Sequence, residues 1–306
     1  MGRTGGRSDQ HGSRTGAVHR IPASNRCRRR LKACKRSRNV EVLRNKAQDL
    51  LAQGQAQIVI GYEAGTGGIR RPSFARTAAD TARLVWDADC ISNLAGYLTR
   101  PEIKRMGKTA IVANASTLRA LLQLTAERQL AEDAVLALAV AEDGTVTELA
   151  TAQAVTDHVA ALPDALSAAD REQMNLLASM SREERWVYWE KELQRCIKCY
   201  ACRSSCPMCY CGTCTMDCNK PQWVPVPSHA LGNLEYHTVR AMHLAGRCVE
   251  CGECGRACPV GIPIHLLTCF AEESVHQQFG QKAGASAKLD YALGTFRPDD
   301  KESFIR

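Results

Sequence analysis

Twelve of the sixteen cysteines in this 306-residue chain lie from Cys196 to Cys258. Eight of the twelve form two copies of one run, C-x2-C-x2-C-x3-C-P, without a deviation. The first is Cys196, Cys199, Cys202, Cys206 and Pro207; the second is Cys248, Cys251, Cys254, Cys258 and Pro259. Three cysteines at this spacing wrap a short loop around one corner of an iron–sulfur cube. Each thiolate meets a different iron, and the loop amides point at the inorganic sulfurs. The proline removes a donor and turns the chain after the fourth cysteine. One such run could serve a zinc ion; two in one chain specify iron–sulfur chemistry, the passing of single electrons. No secretory signal precedes them, so disulfides are a poor account of the cysteines and metal ligation a good one.

A further quartet follows the first run directly. Cys209, Cys211, Cys214 and Cys218 read C-x-C-x2-C-x3-C. A third iron–sulfur cluster, a structural zinc with four thiolates and free thiols are all open readings for it. His229 and His237 are candidate extra ligands, with ordinary surface or packing roles the plainer reading. Lys198, Arg203, Arg247 and Arg256 stand in or beside the runs. They either offset the charge of an anionic cluster or are solvated surface charges.

The elements that must position these residues read as follows. Residues 40–56 form a helix, with Val42, Leu43, Ala47, Leu50 and Leu51 at helical spacing. Ile58 to Tyr62 is a buried strand and Glu63 to Pro72 a loop by its glycines and proline. Helix is expected at Thr77 to Trp86 and from Pro101; strand at Thr109 to Val112 and Ala134 to Val140; helix at Ser116 to Arg128 and Thr151 to Ala161. Alternating strands and helices predict a small α/β domain with a mainly parallel sheet over 40–165. Residues 166–189 are a connector and helix, and 190–270 a cluster-bearing domain in which Leu234 to Leu244 is helical. Residues 271–306 form a tail. Gly65 to Gly68 follow a strand but complete no dinucleotide fingerprint, so a plain turn is the simpler reading. Cys90 reads as a buried small hydrophobe.

The eight-cysteine pattern resembles that of two-cluster bacterial ferredoxins. The resemblance implies two [4Fe–4S] clusters with crossed ligation: Cys196, Cys199, Cys202 and Cys258 on one, Cys248, Cys251, Cys254 and Cys206 on the other. The ending Cys258-Pro259-Val260-Gly261-Ile262-Pro263, followed by a helix, is similar to the α-helical ferredoxin domains of heterodisulfide reductase and fumarate reductase. From about Ile58 the chain resembles the iron–sulfur subunits that accompany heterodisulfide-reductase-like, hydrogenase or formate dehydrogenase complexes. The segments IVIGYEAG, LVWDADCISNLAGYLTRPE, CPMCYC and HLAGRCVECGECGRACPVGIP carry this. Such relatives place Gly-Cys-Asp after the strand near residue 110; this chain has Ala113-Asn114-Ala115-Ser116. The resemblance implies an electron-transfer subunit with redox protein partners. The alternative is a flavin- or nicotinamide-binding subunit that reduces its own clusters, although no motif here supports a flavin.

The net charge of +8 is unevenly placed. Residues 1–38 hold twelve Arg and Lys against Asp9 alone, leaving 28 basic and 31 acidic residues elsewhere. The segment 1–39 therefore reads as a disordered basic arm or as sequence upstream of the true start, and no nucleic-acid partner is expected. The longest apolar run, Ala134 to Ala141, is far short of the ~20 residues a membrane span needs. A cytoplasmic protein without a transmembrane segment is expected.

Overall fold

A computed structural model describes residues 37–131, 134–141, 143–216 and 221–288. The expected basic arm up to residue 36, Cys218, and the tail from residue 289 lie outside the described residues.

Helix α1 (Ser37–Ala52) buries Leu43, Ala47 and Leu50 at i, i+4 and i+7, the spacing that puts side chains on one face. Strand β1 (Ile58–Ala64) is buried along nearly its whole length. Five strands form one sheet in the order β2-β1-β3-β4-β5. The remaining members are β2 (Arg70–Ala75), β3 (Thr109–Ala113), β4 (Val135–Val140) and β5 (Val146–Leu149). Strand β1 is parallel to β3, and β3 to β4. Both edges are antiparallel: β2 on β1 and β5 on β4. The expected mainly parallel sheet is thus parallel only at its centre.

The loop expected from Glu63 to Pro72 is a hairpin, with only 65–69 turning and Pro72 inside β2. That strand is at the edge, where proline's missing donor costs no ladder bond. Gly61 in β1 is needed for close approach: a Cβ there would lie 2.6 Å from Leu84 Cδ2. The helix expected at Thr77 to Trp86 is a single 3-10 stretch, Ala78–Arg83, capped by Thr77 and Asp80 and ended by extended backbone at Leu84.

Helix α2 (Pro101–Lys104) starts at its proline. Helix α3 (Ala115–Ala126) is capped by Asn114 and α4 (Ala152–Ala160) by Thr151; each cap side chain accepts a first-turn amide. The stretch read as connector holds a helix, α5 (Ala168–Ser179), started by Ser167. Ser181 and Glu184 then form a capping box for α6 (Arg182–Gln194). Two further helices frame the cysteines: α8 (Ala230–Leu244), packed against both α6 and α10, and α10 (Ile264–Phe279), which also packs on α5. One-turn helices α7 (Ala201–Ser204) and α9 (Glu253–Arg256) sit inside the two cysteine runs.

The sheet's core does not stop at the cysteine region. Met208, Leu244 and Val249 belong to it, with Cys206, Cys209, Cys248 and Cys251 packed on its margin. A second apolar cluster holds Leu193, Cys202, Tyr236, Cys254 and Ile262, with Cys196 and Cys258 at its edge. Among the described residues no helix is long and apolar enough to cross a membrane.

Candidate metal centre

The two runs adopt one backbone shape. Lys198 and Glu250, each just before the second cysteine, take φ of 51° and 55°. Tyr200 and Gly252, each just after it, take 57° and 71°. Left-handed backbone costs a non-glycine residue about 1–2 kcal/mol, so three such residues in matching places mark a conformation imposed by the runs' common role. It curls each loop so that its amides face the sulfurs. The Lys198 N–H donates to Cys196 Sγ at 3.3 Å, and the Ile262 N–H to Cys258 Sγ at 3.3 Å. One-turn helices α7 and α9 follow at the same offset in each run and carry Cys202 and Cys254.

Folding interleaves the runs. The thiols acting electrostatically on Cys196 are Cys202, Cys258 and Cys199. Those acting on Cys251 are Cys206, Cys248 and Cys254. Each set joins three cysteines of one run to the fourth of the other. The second set lines one cavity, with Cys269 as a fifth thiol on its wall. Cys199 of the first group is exposed, whereas no thiol of the second group is, so the first group lies nearer the surface. The second lies against the sheet's core.

The thiols' electrostatics suit a metal centre. Burial, with the neighbouring thiols, pushes Cys196 up and Cys251 well up. Burial takes Cys254 up to about 12. Cys206 is instead pulled down, against its burial, by the thiol of Cys209, which donates to it. A set of buried thiols that resist ionising together is one that iron must deprotonate on binding, so assembly releases protons. Among the described residues no three Cys, His, Asp or Glu side chains converge on a single ion. The second set of thiols lines one cavity instead.

Three contributors were not assigned their roles from sequence. Arg240 on α8 is only 4% exposed. Burial opposes its charge, but Cys254, Cys206, Cys209 and Cys202 surround and sustain it, and its terminal nitrogen donates to the Cys202 carbonyl at 3.0 Å. A buried cation among thiols belongs with an anionic group. His237, one turn earlier, sets Nε2 3.3 Å from Cys196 Sγ; it is no ordinary packing histidine. Its burial pushes it down to about 4, which keeps the ring neutral. Cys269 on α10 is buried against Cys248. The signal for the first two was present: Asn233, His237, Arg240 and Leu244 share one buried stripe of an amphipathic helix, where polar residues need partners.

The other candidates separate. His229 caps α8, its Nδ1 accepting from Gly232 N–H. Lys198 is buried and its Nζ donates to the Pro225 carbonyl. Arg247 pairs with Glu127 of the α/β part, and Arg256 bonds Glu253 and the Cys251 carbonyl. Cys209, Cys211 and Cys214 line a second cavity, while Cys218 lies outside the described residues. Cys90 is buried, its thiol pushed up to about 12 by burial. Asn114 caps α3 and bonds the Tyr62 hydroxyl and the Cys90 carbonyl. Gly65 to Gly68 form the hairpin tip, closed by Gly65 N–H on the Ile69 carbonyl at 2.8 Å.

Comparison with known proteins defines the class. A family model described as a 4Fe–4S dicluster domain matches residues 209–263. The chain thus carries a domain for two 4Fe–4S clusters and is an iron–sulfur protein of the electron-transfer kind, in an α/β setting. It is 38% identical over 105 residues to the F420-dependent formate dehydrogenase subunit beta of Methanocaldococcus jannaschii, covering 33% of this chain and 26% of that protein. It is 31% identical over 106 residues to the F420-dependent formate dehydrogenase 1 subunit beta of Methanococcus maripaludis, covering 35% and 27%. The chain spans about a quarter of the length of these curated relatives. The family match begins after the first run, so it takes in Cys209, Cys211, Cys214 and Cys218 with the second run.

Proposed function

We propose that this chain is an electron-relay subunit of a multi-subunit oxidoreductase of the formate dehydrogenase kind, acting in the cytoplasm beside redox protein partners. In this reading residues 40–165 form the α/β platform, 190–270 hold the clusters, and the flanking segments 1–39 and 271–306 are peripheral. Cys196, Cys199, Cys202 and Cys258 hold one cube; Cys248, Cys251, Cys254 and Cys206 hold the other. The observation that carries it is the interleaving: each run's fourth thiol stands with the other run's first three. When bound, a [4Fe–4S] cube takes up and gives off one electron at a time.

The chain's own residues do three things for that task. They hold the two sites side by side, because the crossed cysteines tie each loop to both. They supply a fixed positive charge at Arg240 between the sites. They also leave the first site near solvent: Cys199 is exposed. The segment after the quartet is tied to this first loop. Ser228 Oγ and Asn233 Nδ2 donate to the Cys196 carbonyl, and Lys198 to that of Pro225. Ile197, Trp223, Val226 and Leu231 present exposed apolar side chains on these segments. A redox partner docking there would approach the first cube, while the second stays shielded beside the sheet.

Iron and sulfide content with EPR of the reduced, anaerobically purified full chain tests this. Two neighbouring one-electron centres give interacting signals, and either Cys199→Ser or Cys251→Ser removes the interaction. Zinc in place of iron, or interacting signals that survive both substitutions, would overturn it.

A further inference from the structure

Five thiols line the second cavity, whereas a [4Fe–4S] cube is held by four. Cys206, Cys248, Cys251 and Cys254 make up that set, which leaves Cys269 surplus. Cys269 belongs to neither run. It stands on α10, in an apolar cluster with Leu266 of the same helix and Met174 and Leu177 of α5. That packing holds it 1% exposed on the cavity wall. The same turn of α10 meets Cys248, whose thiol donates to Thr268 Oγ1 at 3.6 Å. Once Cys248 ligates iron, that donation ends and its sulfur becomes an acceptor. The Thr268 hydroxyl is already committed, donating to the His265 carbonyl at 2.8 Å. The neighbouring Cys269 is hydrogen-bonded to Cys248 and supplies the donor.

We propose that Cys269 is a positioning residue of the second cube: it stays unligated, and its S–H donates to the sulfur of Cys248 and raises that cube's potential. The proposal rests on the reading in which Cys206, Cys248, Cys251 and Cys254 hold this cube. An electron taken up by a cube spreads negative charge onto its thiolate sulfurs. A donor to one of those sulfurs therefore binds the reduced state more tightly, and such bonds are one of the protein's levers on the potential. A thiol is a weak donor, but a hydrogen bond gains strength where the effective dielectric is low. The second site is such a place: none of its four thiols is exposed, and Cys206, Cys248 and Cys251 pack on the margin of the sheet's core. Burial disfavours the extra negative charge of the reduced cube, and the Cys269 donor offsets part of that cost. Helix α8 serves the first set in the same way through His237 and Cys196. Each of the two framing helices thus brings one neutral group to one ligating sulfur.

The test is a potentiometric titration followed by EPR on the anaerobically purified, iron-loaded full chain, with iron assays. The second cube is identified as the centre lost in Cys251→Ser. Cys269→Ala and Cys269→Val both remove the donor, and Val also fills the space. Each should keep the wild-type iron content and the interacting signals, lower the midpoint of the second cube and leave that of the first unmoved. Cys269→Ser restores a donor as an O–H and should bring the midpoint back toward the wild-type value. A second-cube midpoint unchanged in both donorless variants would reduce Cys269 to a packing residue and overturn the proposal. Loss of iron in both would make Cys269 a ligand or a requirement for folding, and would overturn it as well. Failure of the two-cluster reading shows up separately, as iron content unaffected by Cys199→Ser and Cys251→Ser.

Discussion

His237 Nε2 stands 3.3 Å from the sulfur of Cys196. The ring is 3% exposed, and burial holds it neutral. A neutral imidazole donating from Nε2 strengthens with the negative charge on its acceptor, so it favours the reduced state of whatever Cys196 ligates. Hydrogen bonds to the sulfurs are one of the protein's means of setting a cluster potential.

Replacing His237 by phenylalanine should therefore lower the potential of the first cube and spare the second. Loss of a hydrogen bond worth about 1 kcal/mol corresponds to a shift on the order of 50 mV for one electron. A potentiometric titration followed by EPR reads both centres at once. Equal shifts in the two, or none in either, would refute a specific role for this histidine.

The bond between the sheet platform and the cysteine region can be broken at one pair. Arg247 donates to Glu127 through Nε at 2.8 Å and through a terminal nitrogen at 2.6 Å, and Tyr210 donates to the same carboxylate at 2.6 Å. The Glu127 side chain is only 2% exposed. Arg247→Met should destabilise the fold by about 3–5 kcal/mol, because it leaves a buried charge uncompensated. Glu127→Gln should cost less, since the amide oxygen still accepts. Thermal unfolding of the iron-loaded variants measures the order, and a reversal of it would show that the carboxylate is not the sensitive partner.

Stability should fall between mildly acidic and alkaline pH because of Glu272. Burial, opposed by the Ala283 amide and reinforced by Glu250, takes this carboxyl from an ordinary 4.5 up to about 7, with Lys282 and the Gly246 amide pulling it down. A pKa raised on folding means that the native state binds the extra proton. The contribution is complete below pH 4.5 and is lost as pH rises through about 7. The full swing is on the order of 3 kcal/mol. Glu272→Gln should flatten that part of the profile. Unfolding midpoints at pH 5.5 and 8.5 for both proteins check it; parallel slopes would remove Glu272 from the account.

The chemistry of this protein was legible in the cysteine spacing, since short loops around a cube are a local demand that spacing alone expresses. So were the buried strands β1 and β3, whose apolar runs admit little else. Strands β2 and β5 were missed because edge strands carry polar residues and, in β2, a proline. Helix α5 was missed because it is polar and gains stability by packing on α10, a partner that lies about a hundred residues away. Only the tertiary structure decided which thiols stand together, that Arg240 and His237 turn toward them, and that Cys209, Cys211 and Cys214 face a separate cavity. These are contacts between segments far apart in sequence, and no local periodicity records them.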